Sequence, residues 1–288
     1  MKTRNLLLGM ACMAAFTACS NNEEPVMPAA QTRVVTINVG TGADTRSALV
    51  VDGDGLKRTW DSADILSIAF KDAKGTTTVE QFELKSGAGT TSAVFEKSDS
   101  KLPATGTTKV LLWVGDGSID FFYYDISVQN GTLKSKDYDW LTTETTVTDG
   151  EFPASVNLES KSIFLKIPKD TKLVNHVTGE EVYKMTVFNG NIVKRYDFEI
   201  GAEGFIYDTV SGNININNLA LKDGKLVDDC YIALMAKGDI TSLTIKLDKD
   251  GTGSSAATDN EITVREFKTP LEFGHIYNIQ QSDLTLSN

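Results

Sequence analysis

The chain has 288 residues, of which 28 are basic and 39 acidic, and its formal net charge at pH 7 is −11. A surface this acidic repels nucleic acid and anionic lipid headgroups, so the composition argues against nucleic-acid binding. A chain of this length can bury a sizeable core without covalent cross-links.

The N-terminal stretch, residues 6–24, is organised like a secretory signal. Lys2 and Arg4 precede an apolar run that gives way to small residues and to Cys19. The apolar run is shorter than the roughly 20 residues of a transmembrane helix, and its flanks are those of a cleaved signal. Residues 16–19, Phe-Thr-Ala-Cys, resemble a bacterial lipobox, which predicts that residues 1–18 are removed and that Cys19 receives acyl chains such as palmitate. An ordinary signal cut before Cys19, without lipid, is the alternative.

The residues after the cysteine indicate a surface location. Residues 20–24, Ser-Asn-Asn-Glu-Glu, resemble the acidic tag of lipoproteins that reach the outer face of the outer membrane. Acyl chains would anchor the protein there without spanning the bilayer. Loss of Lys2 and Arg4 leaves 26 basic residues against 39 acidic ones, a charge of −13. Residues 19–32 are small and polar and are expected to form a flexible tether.

Residues 33–39 are predicted to form the first strand. Every second residue is apolar, at Val35, Ile37 and Val39, as expected of a strand with one buried face. Gly40 ends this pattern. The small, polar loop that follows is of the kind that proteases reach.

Short alternating segments separated by turn residues continue to the C-terminus. Residues 110–114 are apolar throughout, as expected of a central strand covered on both faces. No window shows an apolar stripe of helical period, so the sequence predicts an all-β protein with two tandem antiparallel β-sandwich domains. A break that contains Gly150 and Pro153 divides them, which places the N-terminal domain at residues 33–155 and the C-terminal domain at residues 156–288.

No group of residues typical of an enzyme is present. The chain has two histidines, His176 and His275, and no zinc, nucleophile-elbow, phosphate-loop or dinucleotide motif. We therefore expect no enzymatic activity, no catalytic residue, no cofactor and no metal. Asp248, Asp250 and Asp259 partly match a calcium loop but lack flanking helices, so a solvated hairpin turn is expected there.

Cys230 is the single cysteine expected outside the lipidation site. Cys12 would leave with the signal and Cys19 would bear lipid, so no intrachain disulfide is predicted. Cys230 alternates with apolar neighbours, and this pattern predicts a buried thiol.

Two aromatic residues, Tyr138 and Trp140, flank Asp139. Exposed side chains of this type stack on sugars, which would indicate glycan binding. In an all-β chain such residues more often pack in the core or along a sheet edge, and both interpretations stay open.

Three motifs resemble landmarks of the fimbrillin family. Trp60-Asp-Ser-Ala-Asp64-Ile-Leu is similar to that family's Trp-x-x-Gly-Asp-x-Ile/Leu signature, with Ala63 where glycine is frequent. Residues 93–96, Ala-Val-Phe-Glu, resemble its next landmark, and residues 274–279, Gly-His-Ile-Tyr-Asn-Ile, resemble its closing strand. Their order behind a lipobox extends the resemblance over nearly the whole mature chain.

The resemblance implies a pilin of the lipoprotein-precursor type, with two transthyretin-like β-sandwich domains. In this family a trypsin-like surface protease cuts after an arginine in the loop behind the first strand. By position that residue is Arg46, which would make Ser47 the new N-terminus, and Arg58 is the alternative. The lipid and the first strand would leave together.

Loss of the first strand has a physical consequence for a β-sandwich. Removal of Val35, Ile37 and Val39 would uncover an apolar groove and unpaired backbone edges. A strand from another subunit can fill both by β-augmentation. We predict that residues 276–286 are the donor strand, with three apolar residues as its plugs: Ile279, Leu284 and Leu286.

Head-to-tail insertion does not close on itself, so it propagates a filament. The predicted function is therefore that of an adhesive fimbrial subunit. Its partners would be related subunits, the outer membrane before processing, a surface protease, and a host or bacterial surface ligand.

The alternative is a surface lipoprotein that is never cut. It would retain Cys19 and its first strand and act as a fimbrial anchor, as a tip subunit, or as a glycan-binding module that uses Tyr138 and Trp140. Quenching of tryptophan fluorescence by a polysaccharide would distinguish glycan binding from a purely structural role.

Overall fold

The computed structural model describes residues 31–39, 50–52, 55–57, 59–114, 123–132, 139–174, 179–200, 205–248, 260–264 and 266–284. Several predictions therefore fall outside the described residues, namely the signal peptide, most of the tether, and those made for Cys19, Arg46, Ser47, Arg58, Tyr138, His176 and Leu286. Within the described ranges, no helix is long and apolar enough to cross a membrane.

Strands account for nearly all the regular structure that is described, and one short 3-10 helix lies at Gln281–Leu284. The strands are, in chain order, β1 (Gln31–Val39), β2 (Val50–Asp52), β3 (Gly55–Lys57), β4 (Ile65–Lys71), β5 (Thr77–Ser86), β6 (Ser92–Ser100), β7 (Thr107–Val114), β8 (Tyr123–Asp125), β9 (Val128–Gln129), β10 (Leu141–Thr148), β11 (Val156–Ser160), β12 (Ile163–Ile167), β13 (Lys184–Phe188), β14 (Ile192–Ile200), β15 (Phe205–Ser211), β16 (Ile214–Ile216), β17 (Leu221–Lys222), β18 (Lys225–Leu226), β19 (Cys230–Ala236), β20 (Leu243–Asp248), β21 (Asn260–Val264) and β22 (Ile276–Asn278).

Seven strands form a closed N-terminal barrel in the order β1-β11-β10-β7-β4-β5-β6. Each neighbouring pair is antiparallel except β1 and β11, which run parallel. The side chains inside it form the barrel core: Val35, Ile37, Trp60, Leu66, Ile68, Phe70, Phe82, Ala93, Phe95, Leu102, Val110, Leu112, Val114, Leu141, Val147, Val156 and Leu158. The predicted sandwich is closed here because β1 bonds to a strand on each side.

The C-terminal part has two larger sheets, one in the order β15-β14-β19-β12-β22, with β8 beside β14, and one in the order β21-β20-β13-β16-β9. Strands β17 and β18 form a small two-stranded sheet, as do β2 and β3. Buried residues from both sheets belong to a second cluster, the sandwich core, which includes Met185, Ile214, Ile232 and Ile245. The prediction of an all-β fold built from antiparallel, sandwich-like sheets is confirmed.

Strand β7 lies between the two cores. Val110, Leu112 and Val114 belong to the barrel core, whereas Leu111 and Trp113 belong to the sandwich core. Successive side chains of a strand point to opposite faces, so an unbroken apolar run fits a strand buried on both faces. The prediction for residues 110–114 is confirmed.

Strand pairing crosses the boundary predicted between residues 155 and 156. Strand β11 lies after that position but pairs with β1 and β10 of the barrel. Strands β8 and β9 lie before it but pair with β14 and β16 of the C-terminal sheets. The composition of the sequence indicates the turn at Gly150. It does not indicate that strands pair across this boundary, because such pairing joins residues far apart in sequence.

Gln129 fixes the inserted segment to the C-terminal sheets. Its side chain is 2% exposed. Its Nε2 donates hydrogen bonds to the carbonyl oxygens of Ala233 (2.7 Å) and Ile126 (3.1 Å), and its Oε1 accepts one from the Ala233 N–H (2.8 Å). The amide thus satisfies both backbone groups of Ala233 in the place of a strand neighbour.

We predict that Gln129→Leu lowers the free energy of unfolding by about 2–3 kcal/mol, because three backbone groups, two of Ala233 and one of Ile126, lose the amide as a partner. Urea denaturation of the variant measures this loss. Gln81→Leu, at an exposed position of β5, is the matched control and should change stability little. Equal effects at the two positions would contradict a structural role for the Gln129 amide.

Cys230 is buried, as predicted, and is the free cysteine of the described residues. Burial raises the pKa of its thiol from an ordinary value of 9.0 to about 12. The folded state therefore keeps this proton at pH values at which the unfolded chain loses it. The corresponding stability is fully present below about pH 9 and declines as the pH rises toward the folded-state pKa.

We predict that the loss of stability between about pH 8 and about pH 10.5 is smaller in Cys230→Ala than in the unchanged chain. Urea unfolding at both pH values measures it, and titration of other groups is common to both proteins. An identical loss in the two proteins would show that the thiol proton does not contribute.

Candidate functional site: the groove filled by the first strand

Strand β1 closes the barrel by pairing along both of its edges. Toward β6 the pairing is antiparallel and places Val35 opposite Phe95 and Ile37 opposite Ala93. Toward β11 it is parallel and places Ile37 beside Val156. We call the space that β1 occupies between β6 and β11 the β1 groove.

The alternation of β1 sends one row of side chains into the barrel. Val35 and Ile37 are 1% and 0% exposed and belong to the barrel core, whereas Val34 on the outer face is 46% exposed. Burial of each of these two side chains is worth about 1.5–3 kcal/mol. The backbone range predicted for the first strand, 33–39, lies within β1, and the side chain of Val39 is outside the described residues.

Two of the three family-like motifs lie in the barrel beside β1, since Trp60 belongs to the barrel core and residues 93–96 lie on β6. Trp60 is buried and contacts the Phe95 ring edge to face, with ring centroids 5.1 Å apart. Its backbone bonds to the β5–β6 turn, accepting a hydrogen bond from Gly89 N–H (2.7 Å). Asp64 is buried and its Oδ2 accepts a hydrogen bond from Asp61 N–H (2.7 Å). Trp60 therefore belongs to the same core as the inward side chains of β1.

Arg33 is the first inward residue of β1. Only 6% of its side chain is exposed, and its Nη1 lies 3.8 Å from Glu151 Oε1. The sequence prediction did not single out this residue, because a charged side chain is usually exposed. The signal was nonetheless present, since Arg33 has the same parity as Val35 and Ile37.

The predicted donor segment lies in the C-terminal sheets in this structure. Strand β22 pairs parallel to β12, with Ile276 beside Phe164. Ile279 and Leu284 are each 1% exposed and belong to the sandwich core. Donation to another subunit would require this segment to leave its own sheet, so its role as a donor stays a prediction.

A cleft of about 690 Å³ lies where barrel residues meet the C-terminal sheets. Trp140 and Tyr196 line it and pack together, with ring centroids 5.1 Å apart and an interplanar angle of 38°. Trp140 is 3% exposed, whereas Phe273 at the rim is 43% exposed. Trp140 is thus packed in the core, and the open aromatic face of this cleft is that of Phe273.

The described residues contain no group of three or more His, Cys, Asp or Glu side chains placed to hold a metal ion. The acidic loop at residues 249–259 lies outside them. His275 lies 3.5 Å from Glu272 (Nε2 to Oε2) in an exposed pair. The absence of enzymatic activity and of a cofactor stays an expectation.

Comparisons with known proteins find likeness among solved structures. The chain is similar to a proposed cell adhesion protein from Bacteroides uniformis, with 12% identity and a TM-score of 0.47 over 86% of this chain and 93% of that one. It is also similar to a proposed cell adhesion protein from Bacteroides ovatus (12% identity, TM-score 0.44, 88% and 92% covered). A third is a fimbrial assembly protein from Parabacteroides distasonis (13%, 0.38, 86% and 90%). No protein-family model and no curated protein matches the chain. Likenesses this distant do not determine function.

We predict that Ile37→Ala lowers the free energy of unfolding by about 2–5 kcal/mol, because it leaves a cavity in the barrel core. The matched control is Val34→Ala on the exposed face of the same strand, which should stay within about 0.5 kcal/mol of the unchanged chain. Urea denaturation measures both. Similar losses for the two variants would contradict the inward orientation of Ile37.

Proposed function

We propose that this protein is a structural subunit of a cell-surface fimbria that polymerises by exchange of its first strand. The observation that supports the proposal is the position of β1, which closes the barrel with two backbone ladders and two buried side chains, Val35 and Ile37. A single cut between β1 and the next barrel strand, β4, would separate β1 from the rest of the barrel, because β1 comes first among the barrel strands in chain order. Its loss opens the barrel core to solvent.

Export as a lipoprotein supplies the first step. Cys19 would be acylated and hold the precursor at the outer face of the outer membrane, with β1 following after a short polar tether. A trypsin-like protease would then cut after Arg46, or after Arg58, in the sequence between β1 and β4. After the cut, β1 is held by non-covalent contacts alone.

An incoming strand would make the backbone hydrogen bonds and apolar contacts that β1 makes in this structure. The edges of β6 and β11 present unpaired N–H and C=O groups once β1 is gone, and such edges bind extended segments. The C-terminal segment supports the role of donor in one respect. Its strand β22 already forms a parallel pair with β12, and β1 forms a parallel pair with β11, the strand before β12 in the chain.

Repeated insertion from subunit to subunit would build a filament with an adhesive role, whose partners are copies of this chain or related subunits. A ligand on a host or bacterial surface would complete the role in adhesion. Because the site consists of backbone edges and apolar pockets, no cofactor and no catalytic residue is needed for this function.

Replacement of both candidate arginines tests the processing step. We expect Arg46→Ala combined with Arg58→Ala to keep the full-length lipoprotein at the surface and to abolish fibres, because β1 stays covalently attached. Immunoblotting and electron microscopy of the native host measure both. Substitution of Lys57→Ala, at a basic residue beside Arg58, is the control. Full-length fibres from the double variant would refute the proposal.

The aromatic cleft favours a second candidate, an uncut surface lipoprotein that binds glycans as an anchor or tip subunit. Phe273 offers an open ring at its rim, and polar side chains that include Thr143, Glu144 and Asp239 line its walls. Sugars bind to such combinations of apolar faces and polar groups. We expect a neutral polysaccharide to quench the fluorescence of Trp140 in this case, and Phe273→Ala to abolish the quenching.

A further inference from the structure

The turn that joins β10 to the segment before β11 lies over the start of β1. Thr148 and Glu151 exchange backbone hydrogen bonds, with N–H to O distances of 3.1 and 2.9 Å. The two central residues, Asp149 and Gly150, have φ values of 50° and 75°, as in a tight two-residue hairpin turn. Asp149 also exchanges hydrogen bonds with Gly106, which fixes the turn to the barrel.

The guanidinium of Arg33 occupies the space that a side chain at position 150 would need. A Cβ atom placed on Gly150 would approach within 3.0 Å of Nη1, Nη2 and Cζ of that side chain at once. Residues 149–151 therefore form a slot for this guanidinium, and the slot has room for it because residue 150 has no side chain.

Charge in this slot suits a cation. The Glu151 carboxylate lies at the solvent-facing side, with its side chain 84% exposed and one oxygen 3.8 Å from Nη1. Asp149 adds a second negative charge in the same turn, and its Oδ1 accepts a hydrogen bond from Gly106 N–H. Lys97 is the residue opposite Arg33 on β6. Two cations opposite each other on neighbouring strands repel. The negative charges of the turn offset this repulsion between Arg33 and Lys97.

We propose that residues 149–151 are a recognition site for a basic side chain, and that the β1 groove selects strands with arginine or lysine at the first inward position. This inference rests on the proposed function and specifies the partner: an extended segment with a basic residue two positions before the first of two inward apolar residues. Arg33, Val35 and Ile37 show that spacing in the chain itself.

The requirement restricts how the C-terminal segment could enter the groove. Two alignments place apolar or aromatic residues at the positions of Val35 and Ile37. One uses Tyr277 and Ile279, and it places His275 at the position of Arg33. The other uses Leu284 and Leu286, and it places Ser282 there. Neither supplies arginine or lysine, but the first supplies a histidine, which carries positive charge when it is protonated. It is therefore the alignment of the two that we assign to insertion from a second copy of this chain.

The slot can be tested in the intact chain, independently of strand exchange. We expect Gly150→Ala to lower the urea midpoint more than Gly75→Ala does. Gly75 has a φ of 78° and open space around its Cα, so it reports the backbone cost alone. In an Arg33→Ala background the two alanine substitutions should have similar effects, because the guanidinium is gone. The proposed slot would be refuted if Gly150→Ala and Gly75→Ala lowered the urea midpoint equally in the unchanged chain. It would also be refuted if their difference persisted in the Arg33→Ala background.

Peptide exchange tests selectivity. The full chain is nicked after Arg46 with both pieces retained, and a fluorescent peptide of residues 31–39 then competes with the resident strand. Arg33→Met in the peptide should raise its Kd about tenfold, equivalent to about 1.4 kcal/mol. Val34→Thr, at the outward position, should leave it nearly unchanged. The unchanged chain should bind the peptide with Arg33 more tightly than the same peptide with Arg33→Glu. When the chain carries Glu151→Lys, this difference in Kd should shrink or reverse.

The outcomes separate the two proposals. If the Met peptide binds as tightly as the Arg peptide, the groove does not select a cation, and strand exchange stands without the recognition site. If no peptide enters while the glycine substitutions behave as expected, the slot holds Arg33 but the proposed exchange fails.

Discussion

The double pairing of β1 is the constraint on which the N-terminal half depends. A seven-stranded sheet closes only if its first strand bonds to β6 on one side and to β11 on the other. The same strand supplies Val35 and Ile37 to the barrel core, so backbone satisfaction and apolar burial are lost together if it leaves. Such a vacancy is specific, because an occupant must match the hydrogen-bonding edges, the direction and the side-chain spacing of β1 at once.

The described residues form two separate hydrophobic cores, one in the barrel and one in the C-terminal sheets. Strand β7 lies between them, and the two described apolar side chains that β1 buries, Val35 and Ile37, belong to the barrel core. The C-terminal sheets hold their own cluster and are tied to the N-terminal half by β8, β9 and the buried amide of Gln129. Loss of β1 would therefore expose a groove without dismantling the sandwich core, which is what a subunit that waits for a partner requires.

Much of the fold follows from period-2 patterns. Alternation predicted β1, the unbroken apolar run predicted a strand covered on both faces, and the neighbours of Cys230 predicted a buried thiol. The closure of the barrel, the insertion of β8 and β9 and the inward position of Arg33 were not predicted. Each depends on contacts between residues far apart in sequence: β6 with β1, Gln129 with Ala233, and the turn at Gly150 with Arg33. Local patterns state which face of a strand is apolar but not which strand lies beside it.

The most direct test of the central claim, that β1 is a replaceable closing strand, is the intact mass and N-terminal sequence of the protein taken from its native cell surface. The account predicts an unlipidated chain that begins at Ser47, or at Thr59 if Arg58 is the site, and that has lost residues 31–39. An acylated chain that begins at Cys19 and retains β1 in assembled fibres would contradict it, because the groove would never have been vacated.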